Sequence, residues 1–279
     1  MPEASLSEFK PVADSVFVAV AEPAGVNVGL VVGDESALVV DTGSSPAQGA
    51  AIRRAAEAVA GVPVRAAAVT HWHWDHFFGL AAFADVSTYG HETLVARLSD
   101  PALASDAAAH GVAAGDLVAP SHPFSLARVV DPGGRRVELV HFGRGHTEGD
   151  IVAIVPEANT VFAGDLLEES APPSFGPDSF FKDWPSAVDG ILGLVDENTV
   201  VIPGHGRQVD RFFGFEQRAR ISAVYGQVEY LIKRGVRLES AYEAGEWPFD
   251  EDVIRPLLPF AYAQLATEGL VPRTQLPLL

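Results

Sequence analysis

Cysteine does not occur in this 279-residue chain. Disulfides, thiolate metal ligands and cysteine nucleophiles are excluded together. Basic residues are scarce: 19 Lys and Arg stand against 37 Asp and Glu, a formal net charge of −18. The only paired arginines are Arg53-Arg54 and Arg135-Arg136. A phosphate backbone is repelled by such an average field, so no nucleic-acid partner is expected. No apolar run is long enough to cross a bilayer, so no membrane partner is expected either. The opening MPEASLSEFKPVADSVFVAVA has no basic stretch before its apolar part, which Asp14 and Ser15 interrupt. It does not read as a signal peptide, and a cytoplasmic protein is the expectation.

What is present is a foldable chain, 48% apolar, long enough to bury a sizeable core. Short valine-rich strands are expected at 15–20, 27–32 and 37–40. A helix follows, with Ser45 as N-cap, Pro46 at its first position and Gly61 as its stop. Residues 64–70 read as a buried strand, and FFGLAAF as the start of a helix. Another strand fits 86–89, and helices fit 91–98 and 101–110. Residues 124–130 and 135–141 flank the turn Asp131-Pro132-Gly133-Gly134 and read as a hairpin. Strands at 151–155, 160–162 and 200–202 and a helix from Asp183 to about Val195 complete the pattern. Beyond it, 215–234 and 250–267 have helical spacing. Sheets inside and helices outside are the expected architecture. We take 1–279 as one domain, with a core of about 12–209 and a helical extension of about 210–279.

The chemistry is concentrated in His71-Trp72-His73-Trp74-Asp75-His76. Imidazole nitrogens and carboxylate oxygens are the usual ligands of zinc and its neighbours. His71 and His73 lie two apart, so in an extended segment they face the same side. Asp75 and His76 lie where the chain turns toward a helix and can face a second position. Six residues thus supply two half-sites. His146 in GHTEGD, Asp165 in AGD and His205 in PGHG also stand next to glycines just after expected strands. They are the candidates to complete the sites. His91, His110, His122 and His141 read as surface or helix-end residues. Trp72 and Trp74 alternate with the ligands and read as core support. The segment from Leu166 to Trp184 reads either as a substrate-facing loop or as a crossover that packs its aromatics inside.

Asp41-Thr42-Gly43, THWHWDHFFG, GHTEGD, AGD and PGHG, in that order, resemble the metallo-β-lactamase superfamily, in particular its glyoxalase II-like and lactonase-like dinuclear branch. The resemblance implies an α+β fold, a four-layer αβ/βα sandwich with a metal site at one edge of the packed sheets. It implies that His71, His73 and His146 hold a first metal and that Asp75, His76 and His205 hold a second. Asp165 would bridge them, and Asp41 would steady the motif loop, although an ordinary turn role for Asp41 is equally open. Two divalent ions are the implied cofactor, zinc first, with manganese or iron as alternatives. Ions about 3.5–4 Å apart can share one water and lower its pKa toward ~7. Hydroxide then attacks an ester, thioester, lactone or related small substrate, with Asp75 as the residue that orients it or takes its proton. The competing expectation is an oxidoreductase of the persulfide dioxygenase kind, which uses a single iron on positions matching His71, His146 and Asp165. A phosphodiesterase or nuclease ranks below both, given the acidity. The C-terminal helices could cap a substrate pocket or make a homodimer.

Overall fold

The computed structural model describes residues 4–272. Its first sheet begins with β1 (Ser5–Leu6), β2 (Lys10–Ala13), β3 (Val16–Glu22), β4 (Val26–Val32) and β5 (Ala37–Val40). Helix α1 (Pro46–Ala60) leads to β6 (Val64–Ala68), the short α2 (Trp74–Phe77), β7 (Ser87–His91), α3 (Thr93–Arg97), α4 (Pro101–Ala109) and β8 (His122–Phe124). The strand order is β1-β3-β4-β5-β6-β7-β8, with β2 also paired to β3. From β5 to β8 the pairs are parallel.

The second sheet has β9 (Ala127–Val130), β10 (Val137–Val140), β11 (Val152–Val155), β12 (Thr160–Gly164) and, after α5 (Trp184–Leu192), β13 (Val200–Pro203). Its order is β13-β12-β11-β10-β9. Helices α6 (Arg211–Lys233), α7 (Ala241–Ala244) and α8 (Glu251–Thr267) follow. Among the described residues, no helix is long and apolar enough to cross a membrane.

Alternation along the strands builds the layers, because successive side chains point to opposite faces. Leu38 and Val40 of β5, with Val137 and Leu139 of β10, fill the space between the sheets. Val39, between them, faces outward and packs with Ile52 and Ala56 of α1. Val152 and Ile154 of β11 face away from the first sheet, onto Val188 and Ile191 of α5. The result is helix, sheet, sheet, helix, the αβ/βα sandwich expected. Val224, Val228 and Leu231 of α6 join Ile254, Leu257 and Ala261 of α8 in a separate C-terminal cluster.

Helix α1 has the ends its sequence promises. Ser45 accepts from the Gln48 N–H, Pro46 opens the helix, and Gly61 closes it in the left-handed region. The expected strand over 124–130 is instead split. Phe124 ends β8 in the first sheet, and β9 starts at Ala127 in the second. Ser125 and Leu126 are where the chain changes sheets, a long-range event that local composition does not mark. The hairpin across Asp131 does form: β9 and β10 pair antiparallel. The Asp131 carboxylate accepts from the N–H groups of Gly133 and Arg135. The helix expected from FFGLAAF is cut short: α2 ends at Phe77, and Leu80–Phe83 form a separate 3-10 turn.

Glycine at position 79, in that break, is a packing requirement. A Cβ on Gly79 would stand 1.9 Å from the Thr42 carbonyl oxygen and 3.0 Å from the Gly49 Cα. Gly79 is thus the contact through which the motif turn sits on β5 and α1. Gly79→Ala should destabilise the fold by about 1–3 kcal/mol, the usual cost of overpacking. Thermal unfolding should show a fall of roughly 2–4 °C per kcal/mol. An unchanged midpoint would mean that the close approach is unimportant.

Candidate metal centre

The site lies where the strands of both sheets end. Asp41 follows β5, His71 to His76 follow β6, His146 follows β10, Asp165 follows β12 and His205 follows β13. Asp41 adopts a left-handed φ of 64°, a conformation costly for a residue with a Cβ. It is held there by what its carboxylate accepts. Oδ1 takes the Thr70 N–H at 2.7 Å, and Oδ2 takes the Thr70 hydroxyl at 2.9 Å. The same Oδ2 lies 2.8 Å from His76 Nδ1. Asp41 therefore steadies the motif loop, the more specific of its two readings.

Each of five imidazoles is tied by one ring nitrogen. His71 Nδ1 lies 3.0 Å from the Thr70 hydroxyl, which already donates to Asp41 and so is free to accept. His73 Nε2 is 3.0 Å from Asp178. His76 Nδ1 is held by Asp41. His146 Nδ1 faces the Ser174 carbonyl at 3.2 Å, and His205 Nδ1 the Ala24 carbonyl at 3.1 Å. The other five nitrogens converge. His73 Nδ1 and His146 Nε2 are 2.7 Å apart, and His76 Nε2 and His205 Nε2 are 3.3 Å apart. Asp165 lies between the two groups. Its Oδ2 is 3.5 Å from His146 and 3.8 Å from His71, while its Oδ1 is 3.2 Å from His76 and 3.6 Å from His205. Asp75 Oδ2 is 3.4 Å from His205 Nε2.

Two groups of donor atoms result, each within 4.8 Å. One is His71, His73, His146 and Asp165, and the other is Asp75, His76 and His205. All seven residues singled out in the sequence are brought together. The donor set fits metal on its own chemistry. His71 Nε2 and Asp165 Oδ1 are buried and have no hydrogen-bond partner, a costly state that a cation relieves. Ligating histidines characteristically have their second nitrogen fixed by a carboxylate or carbonyl, and that pattern is repeated here around the ring. Burial, reinforced by neighbouring histidines, pushes His71 well below the ordinary imidazole range and His146 down to about 4. Both are neutral near pH 7, the ligating form.

Sequence reasoning missed two residues. Asp178, in the 166–184 segment, orients His73. Glu168 joins Asp165 and His205 in a third cluster of donor atoms. Burial, with Asp165 beside it, pushes the Glu168 carboxyl up to about 7. No spacing signal marks either residue; only the path of the loop brings them in. That segment contributes both to the core and to the surroundings of the donor atoms. Phe175, Phe181 and Trp184 pack inside, while Glu168, Pro172, Ser174, Pro177 and Asp178 line a cavity of about 530 Å³ beside the donor atoms. Trp72 and Trp74 also divide their roles, packing on the first core cluster and lining the cavity. His110 stacks on Trp74 at 4.0 Å. Asp150 is buried and accepts from the Thr147 N–H and hydroxyl, which closes the turn presenting His146; burial pushes it up to about 7.

Residues 21–205 match the family described as the metallo-beta-lactamase superfamily. The chain belongs to this superfamily. Among curated relatives it is 30% identical to a metallo-beta-lactamase type 2 of Bacillus cereus over 28% of this chain and 32% of that protein. It is 28% identical to acyl-coenzyme A thioesterase MBLAC2 of Gallus gallus over 75% of this chain and 79% of that one. The chain spans only a third to a half of the lactamases it matches first, 32% of the Bacillus cereus protein and 51% of the Bacteroides fragilis one. The fold is shared with the DIM-1 metallo-beta-lactamase, at a TM-score of 0.66 and 19% identity over 78% of this chain and 98% of that one.

Asp178→Asn keeps the shape of the His73 contact but removes its charge. It should weaken metal affinity about 10–100-fold, the usual effect of losing such a partner, measured by competition with a chromogenic chelator. Wild-type affinity in the variant would show that Asp178 is dispensable.

Proposed function

We propose that this protein is a dinuclear metal-dependent hydrolase, with zinc as the expected pair, that cleaves a small ester, thioester or lactone. The observation that supports it most is the position of Asp165 between two clusters of inward-facing donor atoms, with its own Oδ1 and His71 Nε2 left buried and unpartnered. His71, His73 and His146 would hold one ion, and Asp75, His76 and His205 the other, with Asp165 bridging. When bound, such a pair supplies Lewis acidity toward a carbonyl oxygen and acidifies water to near neutrality.

The chain's own residues do the rest. Asp41, Asp178 and the carbonyls of Ser174 and Ala24 hold the imidazoles in one tautomer each. Burial acts to raise the Asp75 carboxyl, yet His76 and His205 beside it outweigh that and hold it below its ordinary value. Asp75 lines the cavity, where it would orient the attacking water or receive its proton. Trp72, Trp74, Pro172 and Pro177 would shield the acyl group from bulk water.

The relatives' printed names concern β-lactams and acyl-coenzyme A; attack on an acyl carbon is what we carry over from them. Absence of cysteine separates the chain from lactamases with a cysteine ligand. We also carry forward a core over about 12–209 with a helical extension after it and a cytoplasmic location, and, on the net charge of −18, no nucleic-acid partner.

Chelation should abolish turnover of an ester, thioester and lactone panel, and zinc or manganese should restore it. Asp165→Ala and His73→Ala should each lower kcat/KM by at least about a hundredfold. Undiminished activity in fully metal-free protein would overturn the proposal.

A further inference from the structure

The cavity beside the donor atoms has a one-sided charge. Five carboxylates line it, from Asp75, Asp106, Asp165, Glu168 and Asp178, and among the described residues no Lys or Arg does. Arg97 stacks on the Trp72 ring at 4.7 Å but is tied to Glu148 and Asp100. The five carboxylates come from four separate places in the chain: the motif, α4, the end of β12 and the 166–184 segment. This is not an acidic surface stripe. Asp165 Oδ1, buried and unpartnered, belongs to the same lining, which sets this cavity against the donor atoms. Two divalent ions would bring four positive charges, which Asp75, Asp106, Asp165 and Asp178 already match, with Glu168 beside them. Nothing in the lining is left to neutralise an anionic group on the substrate.

The next cavity continues the pattern. It shares Glu168, Ala171 and Pro172 as a wall and is lined further by Glu216 and Asp250. Its one guanidinium, Arg220, donates to the Pro248 carbonyl and lies over the Phe249 ring at 4.7 Å. The larger apolar side chains in the lining are Trp72, Trp74, Pro172 and Pro177. Indole faces attract cations and tolerate neutral groups.

We infer that this site selects acyl substrates whose flanking groups are uncharged or cationic, and rejects those with an anionic group beside the scissile bond. The inference rests on the metal-loaded hydrolase reading above and narrows its substrate class. Phosphorylated carriers and carboxylate-flanked lactams are disfavoured, and neutral or amine-bearing esters and lactones are favoured. The protein's overall negative field acts in the same direction at low salt.

Three 4-nitrophenyl esters of equal acyl length test it, ending in a methyl, a trimethylammonium or a sulfonate. The sulfonate is chosen because it coordinates metal weakly. With zinc-loaded protein at low ionic strength, kcat/KM for the methyl and trimethylammonium esters should exceed that for the sulfonate by at least about tenfold. The ratio should shrink toward unity near ~1 M salt. Glu168→Gln and Asp106→Asn should each narrow the cation-to-anion ratio by about threefold, whereas a merely structural role would lower all three rates together. The three matched amides, titrated calorimetrically, give the same ranking without turnover. Preference for the sulfonate, or equal handling of all three probes, would overturn the inference. If no ester turns over, the hydrolase reading falls, and the amide ranking still decides the charge question.

Discussion

Five imidazole rings in this fold each commit one nitrogen to the protein and withhold the other. The withheld nitrogens meet around Asp165 in a buried space. Burying polar atoms without partners costs about 1–3 kcal/mol each, and His71 Nε2 and Asp165 Oδ1 are in that state. The folded chain thus carries a destabilised cluster that a cation converts into a stabilising one, so metal binding and folding stability are coupled.

Holding such a cluster open requires a rigid frame. The frame comes from both sheets, because the donors stand on the ends of β6, β10, β12 and β13. Asp41 adds a strained backbone and three contacts that lock Thr70 and His76 to the end of β5. The loop after β12 then crosses over the site, where Asp178 and Ser174 fix His73 and His146. The same loop carries Phe181 and Trp184 into the core. Core packing and histidine orientation are in this way two functions of one segment, which also lines the cavity beside the donor atoms.

The seven donor residues were legible because metal ligation needs particular side chains at strand ends, and those leave a local signature. The HWHWDH run and the Gly-flanked His146, Asp165 and His205 each carry it. The caps of α1 were legible for the same reason: Ser45, Pro46 and Gly61 act on neighbours within one turn. Asp178 and Glu168 were not, since an aspartate and a glutamate in a Pro-rich loop look like any solvated pair until the loop's path is known. The move from β8 to β9 was hidden as well, because Phe124 and Val130 are both apolar strand residues and only pairing assigns them to different sheets.

The central claim is that both donor clusters are filled. Elemental mass spectrometry of natively purified protein tests it most directly. The account predicts about two zinc or manganese ions per chain. A single iron per chain would contradict it and would favour the oxygen-using reading, in which His71, His146 and Asp165 act without the second cluster.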